Sequence, residues 1–264
     1  FCTTASPRKT PHYAMLRSLL RQSRRAPGLL QVTEVDAHPS KLSHLLQALQ
    51  VSAAVTEHRG LAVPLGGFYT ELGSVGRFYL LQSFANYDSR ELSLQALAST
   101  EDVLDATLEV QRQSKALRIS IFMEPTDALE KAGLQQGLLD FSPQGGRGDG
   151  ERPVYELRTY QLKLGYTTVP SFIEKYTTGL KDKLEADQTG QSQLVTLMYS
   201  ESGAAPLNTV HELWRHRSMK GSQESRQASR AASGWKQAIA EIADLAITFH
   251  SQYLRPIPGI GRLQ

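Results

Sequence analysis

The apolar and polar residues of this chain follow the same order of spacings in its first and second halves. Each half predicts a strand, a helix with apolar residues at i, i+3, i+4 and i+7, a hairpin of two strands, a longer helix and a closing strand. The predicted elements of the first half span 29–36, 42–53, 66–72, 76–84, 89–115 and 117–123. Those of the second half span 154–163, 169–184, 193–201, 207–215, 222–249 and 252–257. The spacing therefore predicts two copies of one βαββαβ unit.

Individual residue types also recur at a fixed distance of 130 residues. The recurrence covers the predicted hairpins, where a copied unit would keep its turn residues. It matches Tyr69 with Tyr199, Glu71 with Glu201, Gly73 with Gly203 and Phe84 with Trp214.

A βαββαβ unit is the ferredoxin-like arrangement, and its antiparallel sheet carries helices on one face only. The uncovered face has to be buried against another layer. The sheet of the other half offers an equivalent face. We therefore predict an α+β protein made of tandem ferredoxin-like repeats with antiparallel sheets, of the dimeric α+β barrel type. Closure within one chain and closure across a homodimer both satisfy the pattern.

Composition divides the chain into four segments. Residues 133–152 hold six glycines and no sustained helical or strand period, which is typical of a linker. We therefore expect a first, degenerate repeat over 29–132 and a second repeat over 153–264, preceded by an arm over 1–28. The single cysteine excludes a disulfide within the chain. No apolar run reaches about 18 residues, so no transmembrane helix is predicted.

The net charge of +3 is the sum of two unlike parts. The first 25 residues hold six basic and no acidic residues, and the remaining 23 basic and 26 acidic residues give the body a charge of −3. An Arg-rich, acid-free segment with apolar residues at helical spacing is typical of a mitochondrial transit segment. The basic residues of the arm are Arg8, Lys9, Arg17, Arg21, Arg24 and Arg25.

The arm predicts both a location and a contact surface. The chain begins with Phe1-Cys2-Thr3-Thr4, which resembles the product of a first matrix-protease cut, and we expect a processed mitochondrial protein that keeps its basic arm. The expected site is the matrix or a matrix-facing assembly of the inner membrane. The arm would there contact an acidic protein, lipid or ribosomal RNA surface. A solvated basic tail is the alternative interpretation.

The second half carries a recognisable motif. Residues 154–165 read VYELRTYQLKLG, and residues 208–214 read NTVHELW. Both resemble segments of the NIPSNAP family, and the following predicted helix carries an Arg and a Trp where that family has them. The residues that carry the resemblance are Tyr155, Glu156, Arg158, Thr159, Tyr160, Gly165, Asn208, His211, Trp214, Arg226 and Trp235. It covers 153–264 well and 29–125 only as a degenerate copy.

The resemblance implies a dimeric α+β-barrel-type fold, mitochondrial residence and a role in protein–protein association, without an established catalytic activity. We therefore predict a non-enzymatic binding or structural protein, such as an accessory subunit of a respiratory complex or ribosome, with no cofactor. The alternative function is that of an oxidoreductase or haem-binding protein that uses a cleft. Such a cleft would be lined by Tyr69, Tyr199, His211, Trp214 and Trp235, for which an aromatic core is the favoured interpretation.

Other chemistry has little support in the sequence. The seven histidines show no metal-binding spacing, and the chain contains no nucleophile motif and no phosphate-binding loop, so we predict neither catalytic nor metal-binding residues. His211 is favoured as a core histidine with one hydrogen bond. Glu156, Arg158 and Tyr160 share one face of a predicted strand. We predict that the first two form a structural ion pair; a cleft lining is the alternative.

Overall fold

The structure is a computed structural model that describes residues 28–133, 137–139, 141–143 and 153–264. The elements of the first half are β1 (Leu29–Ala37), α1 (Leu42–His58), β2 (Val63–Leu72), β3 (Arg77–Phe84), α2 (Tyr87–Ser99), α3 (Glu101–Gln113), β4 (Ser114–Met123) and α4 (Thr126–Lys131). Those of the second half are β5 (Val154–Leu162), α5 (Thr168–Ala186), β6 (Ser192–Gly203), β7 (Thr209–His216), α6 (Met219–Ser229), α7 (Ser233–Ala243) and β8 (Ala246–Gly261). A 3-10 turn, Pro39–Lys41, leads into α1. The basic arm, 1–28, lies outside the described residues except for Gly28.

The prediction of one long helix before the last strand of each half is wrong. Two helices, α2 and α3, replace the predicted helix 89–115, because Thr100 between them is extended, with φ −116° and ψ 107°. Glu101 and Asp102 follow it, and acidic side chains stabilise a helix N-terminus. In the second half Ala232 is extended in the same way. Phe249, the last residue of the predicted helix 222–249, lies in β8, where its ring packs 4.8 Å from that of Tyr160.

The eight strands close into one barrel in the order β1-β3-β2-β8-β5-β7-β6-β4, and every neighbouring pair is antiparallel. Both predicted hairpins, β2–β3 and β6–β7, are present. The two halves join through β2–β8 and β4–β6. The prediction of an α+β fold with an antiparallel sheet is therefore confirmed, and the barrel closes within one chain.

The register of the second hairpin differs from that of the first, and this changes which residues of the two halves are equivalent. In the first half Tyr69 pairs with Phe78, nine positions later, whereas in the second half Tyr199, the residue matched with Tyr69, pairs with Val210, eleven positions later. The chain between these paired residues is therefore two residues longer in the second hairpin. The prediction that Phe84 matches Trp214 is wrong, because this longer turn places Gln82 opposite the equivalent strand position.

The barrel interior is filled with apolar side chains, as a close-packed core requires. One side chain comes from the segment predicted as a linker: Leu138 is fully buried, its N–H donates to the Glu124 carboxylate at 2.8 Å, and its carbonyl accepts from Arg262 at 2.5 Å. The interior residues are Leu30, Val32, Leu65, Phe68, Tyr79, Leu81, Phe122, Leu138, Tyr155, Leu157, Val195, Met198, Leu213, Leu254 and Leu263.

The helices cover the outer face of the barrel. In the second half α5 and α7 pack on β5, β6 and β7 through an aromatic layer that includes Tyr160, Phe172, Tyr176 and Trp214. Each strand of this half therefore presents one face to the barrel interior and the other to the helices. No helix in the described ranges combines the length and the hydrophobicity needed to cross a membrane.

Candidate functional site

A cluster of charged side chains lies between the outer face of β5 and β7 and the helices α5, α6 and α7. Neighbouring antiparallel strands bring its members together, since Arg158 pairs in register with Glu212 and Glu156 with Trp214. Both carboxylates have no exposed surface, and the Arg158 side chain is 11% exposed. Buried charges require partners, and these residues supply them to one another.

Glu156 accepts contacts from four sides. Arg158 Nε lies 3.0 Å from its Oε1, His216 Nε2 lies 3.2 Å from its Oε2, and Ser251 donates to Oε1 at 2.5 Å. Arg226 of α6 donates to Oε1 as well. Burial raises the pKa of Glu156, but the His216 hydrogen bond and the nearby Arg158 charge outweigh it and hold the pKa well below its usual range. The predicted ion pair of Glu156 and Arg158 is confirmed.

Glu212 is held by a second set of donors. Arg158 Nη1 lies 3.2 Å from Oε2, the Tyr160 hydroxyl donates to Oε1 at 2.7 Å, and Trp214 Nε1 donates to Oε2 at 2.6 Å. Burial, followed by the Glu212 charge, raises the pKa of Tyr160 well above its usual value, so the phenol keeps its proton and donates. One guanidinium thus bridges two buried carboxylates.

Lys183 of α5 completes the cluster without an oxygen partner. The residue is 4% exposed, and its Nζ lies 3.4 Å from the centre of the Trp214 ring and 5.0 Å from that of Trp235. Within the described part of the chain, no side chain or carbonyl accepts a hydrogen bond from this ammonium group. Burial, and then the Arg158 charge, lower the pKa of Lys183 to about 7.

An open cleft of about 340 Å³ reaches this cluster from solvent. Its floor is Arg158 and Lys183, and its walls come from α6 and α7. We call it the cationic cleft. The lining residues are Arg158, Lys183, Arg226, Ser229, Arg230, Trp235, Lys236 and Ile239.

The structure separates the aromatic and histidine residues predicted to line one cleft. Trp214 and Trp235 lie at the charged cluster, whereas Tyr199 lines a groove next to α4 and α5. His211 faces the barrel interior, where its ring centre lies 4.6 Å from that of Phe122. Tyr69 lies on β2 and is 40% exposed.

His211 lies at the polar end of the barrel interior. Its Nδ1 is 2.9 Å from the Thr159 hydroxyl, and burial lowers the pKa of His211 to about 4. A cavity of about 290 Å³ adjoins it, lined also by Glu34 and Arg118. This volume lies at the lower limit of about 300 Å³ for typical ligand pockets.

The remaining motif residues support the surrounding backbone. Tyr155 is fully buried in the barrel interior, 4.8 Å from the Phe68 ring. Gly165 has φ 157°, a conformation that favours glycine. Asn208 donates from Nδ2 to the Lys163 carbonyl at 2.8 Å and so ties the β6–β7 turn to the end of β5. The six basic residues of the arm lie outside the described residues.

Sequence reasoning missed Lys183, Arg230 and Lys236. A signal for the first was present, because Lys183 falls three residues after Leu180 on the apolar face of α5. A charged residue at a core position of an amphipathic helix indicates a buried partner or a ligand. Among the residues that the structure describes, no three His, Cys, Asp or Glu side chains are grouped so as to hold a metal ion.

These features define the chain as an α+β barrel whose second half carries a buried ionic cluster beneath a cationic cleft. A sequence model of the NIPSNAP family matches residues 155–259, the region that contains this cluster. Residues 155–259 are therefore a NIPSNAP domain, and the resemblance found in the sequence is confirmed.

Two relatives bear the NipSnap name. A protein of Caenorhabditis elegans is 26% identical over 159 residues, which is 59% of this chain and 28% of that protein. A protein of Dictyostelium discoideum is 24% identical over 193 residues, which is 73% of this chain and 74% of that protein. The chain thus spans about a quarter of the length of the nematode relative and three quarters of the slime-mould relative.

The fold as a whole is similar to that of a candidate monooxygenase of Fusobacterium nucleatum. The two structures superpose with a TM-score of 0.60 at 12% identity, over 88% of this chain and 94% of the other. At this identity the similarity concerns the fold alone.

Proposed function

We propose that this protein is a non-enzymatic binding or structural protein of mitochondria, with the role of an accessory subunit in a larger assembly. The NIPSNAP domain and the transit-like composition of the arm support this proposal. We further propose that residues 29–132 and 153–264 are tandem ferredoxin-like repeats. Both halves have the strand order fourth, first, third, second, which supports a common origin.

The observation that carries the proposed role is an exposed apolar groove of about 1140 Å³ beside the NIPSNAP motif strand. Leu164 is 83% exposed, Tyr166 is fully exposed and Leu207 is 59% exposed, and all three line it. Large apolar side chains clustered at a surface mark protein contacts. The barrel interior, by contrast, is packed with side chains. The concave apolar surface of the protein is therefore suited to a protein partner.

Native gel electrophoresis of mitochondria that contain the tagged chain tests this role. We expect a species much larger than the 29.2 kDa of the chain. Replacing Leu164 and Tyr166 together by Asp should release the chain from this species, because charged residues are depleted at interface cores. Val75→Asp is the matched control, since Val75 is 77% exposed on the β2–β3 turn, away from the groove. A free 29.2 kDa species for the unaltered chain would overturn the proposal.

The alternative function is a cleft-using oxidoreductase or haem-binding protein. It is supported by the fold shared with a candidate monooxygenase and by the neutral imidazole of His211 beside a cavity. The cavity of about 290 Å³ does not fit a haem or flavin, which need pockets well within the usual range. A haem or flavin absorbance band that His211→Ala abolishes would establish this alternative, and a colourless protein would reject it.

A further inference from the structure

The cationic cleft holds more positive charge than its carboxylates balance. Arg158, Lys183, Arg226, Arg230 and Lys236 line it. The carboxylates bound to these side chains are Glu156 and Glu212. Among the described residues, no carboxylate forms an ion pair with Arg230 or Lys236. Five basic side chains line the cleft and two carboxylates are bound to them, so the lining carries an excess of positive charge.

The deepest of these basic side chains, Lys183, has no oxygen acceptor among the described residues. Lys183 is 4% exposed as a residue, yet it lines the cleft, and its ammonium group contacts the ring faces of Trp214 and Trp235. An ammonium group carries three donors. Removing a charged donor from water is unfavourable unless an acceptor replaces the lost hydration. An anion in the cleft would supply the acceptor.

We propose that the cationic cleft binds a phosphate group, carried by a small molecule or a lipid headgroup, and that Lys183 Nζ donates hydrogen bonds to this phosphate. The positive side chains approach from four elements, β5, α5, α6 and α7. This suits a tetrahedral anion better than a planar carboxylate. A lysine ammonium group acts as a point charge toward phosphate. The half-buried Trp235 offers an apolar wall to the group that carries the phosphate.

The volume limits the ligand to a compact one. About 340 Å³ lies near the lower end of the usual range for small-molecule sites, about 300–1,000 Å³. A phosphomonoester with a short carbon chain fits this description. The proposal is independent of the apolar groove, which lies on the other face of α5, and either can fail without the other.

Binding should depend on pH through Lys183. The pKa of Lys183 is lowered to about 7, so near neutral pH the free protein holds this proton only in part. A bound dianion favours the charged form, and binding should therefore take up a proton. The charged groups around Lys183 are Arg158, Glu156, Glu212, Asp187, Arg226, Arg230 and Lys236.

Calorimetric titration of the full chain with sodium sulfate tests this linkage, because sulfate stays dianionic throughout the range. The ionic strength is held constant with chloride. We expect saturable binding that is about tenfold weaker at about pH 8.5 than at about pH 6, with proton uptake near pH 7. Glycerol 3-phosphate is the phosphomonoester probe and should compete with sulfate.

Three variants locate the site. Lys183→Met should weaken sulfate binding at about pH 6 by about tenfold and remove its pH dependence. Arg230→Ser changes an exposed residue without disturbing the cluster and should weaken binding about threefold. Lys181→Met is the matched control, because Lys181 is an exposed lysine of the same helix that lines the apolar groove instead.

The titrations decide whether the cleft binds an anion, and vesicle binding decides which kind of molecule carries the phosphate. The absence of saturable binding for both probes up to about 10 mM would overturn the proposal, as would an unchanged affinity of both Lys183→Met and Arg230→Ser. If Lys183→Met does not fold, Arg230→Ser decides. Vesicles of phosphatidylcholine with and without phosphatidic acid separate the sources. Preference for phosphatidic acid identifies a lipid headgroup, and binding of glycerol 3-phosphate without that preference identifies a soluble ligand.

Discussion

Replacing Arg158 by Met should destabilise the protein far more than replacing a solvent-exposed arginine of similar contact geometry. Met keeps much of the apolar stem but removes the charge that bridges Glu156 and Glu212, whose side chains have no exposed surface. Removing one member of a buried ion pair costs about 3–5 kcal/mol, since the other charge stays buried.

The remaining contacts place the expected loss near the lower end of that range. After the substitution Glu156 keeps Arg226, His216 and Ser251, and Glu212 keeps the Tyr160 and Trp214 donors. We therefore expect a loss of about 3 kcal/mol in the free energy of unfolding. For a chain of this size that corresponds to a fall in Tm of about 6–12 °C.

The control is Arg59→Met. Arg59 and Asp102 approach to 2.6 Å, closer than Arg158 and Glu212, but their side chains are 45% and 47% exposed. Such a surface pair contributes about 0–1 kcal/mol. If burial decides the cost of losing a partner, Arg59→Met should lower the free energy of unfolding less than Arg158→Met, although the Arg59–Asp102 ion pair is the shorter one. Urea unfolding at neutral pH, followed by tryptophan fluorescence, measures both variants.

Two results would refute this reasoning. One is a loss below about 1 kcal/mol for Arg158→Met, and the other is an equal loss for Arg59→Met. A second substitution checks the cause. Adding Glu212→Gln to Arg158→Met removes the carboxylate charge that keeps no cationic partner, so the double variant should be more stable than the single one.

The other predictions concern the interior, a histidine and a helix contact. Leu138→Ala should lower the free energy of unfolding by about 2–5 kcal/mol, because the side chain is fully buried in the barrel, whereas Leu164→Ala, at an 83% exposed position, should change it by less than about 0.5 kcal/mol. The pKa of His211 falls from 6.5 to about 4 on folding. The neutral imidazole therefore contributes about 3 kcal/mol to the free energy of unfolding above about pH 6.5, and this contribution is lost progressively as the pH falls toward about 4. His211→Phe should flatten that part of the curve of stability against pH. Gly179→Ala should destabilise the protein, although alanine normally favours a helix, because the new Cβ would lie 2.3 Å from Ala238 Cβ. Adding Ala238→Gly should restore the stability, which thermal unfolding measures.

The strands could be predicted because the information that specifies them is local. The motif strand 154–162 and both hairpins follow from runs of strand-forming residues separated by turn residues. Gly73 and Gly203 indeed have φ values of 124° and 108°. The helix breaks were missed because the apolar spacing continues through them. Phe249 keeps the helical spacing of the preceding residues, although it packs from a strand.

The site was predicted only where its residues share one strand. Glu156 and Arg158 are two positions apart, so their common face follows from the strand period. Glu212 and Lys183 reach the same point from β7 and α5, and only the register and the helix packing bring them together. The insertion of Leu138 into the barrel could not be predicted for the same reason. The composition of its segment indicates a linker, and only the tertiary packing buries this side chain.

The first half shows that the barrel does not need this cluster. By strand register Gln31, Thr33 and Leu80 occupy the positions of Glu156, Arg158 and Glu212. Gln31 there bonds to neutral neighbours and to Arg90, and the space beneath the helices is a cavity of about 280 Å³. The same scaffold therefore closes around uncharged residues.

Buried ion pairs add little stability compared with apolar residues of similar volume. Their presence in the half that matches the NIPSNAP family, at the floor of an open cleft, argues for a role beyond holding the fold. Arg158 is fixed by two carboxylates, and burial, followed by the Arg158 charge, lowers the pKa of Lys183. If the cationic cleft binds phosphate as proposed, the cluster holds a partly protonated lysine at the base of the cleft, and a bound anion would favour the charged form of that lysine.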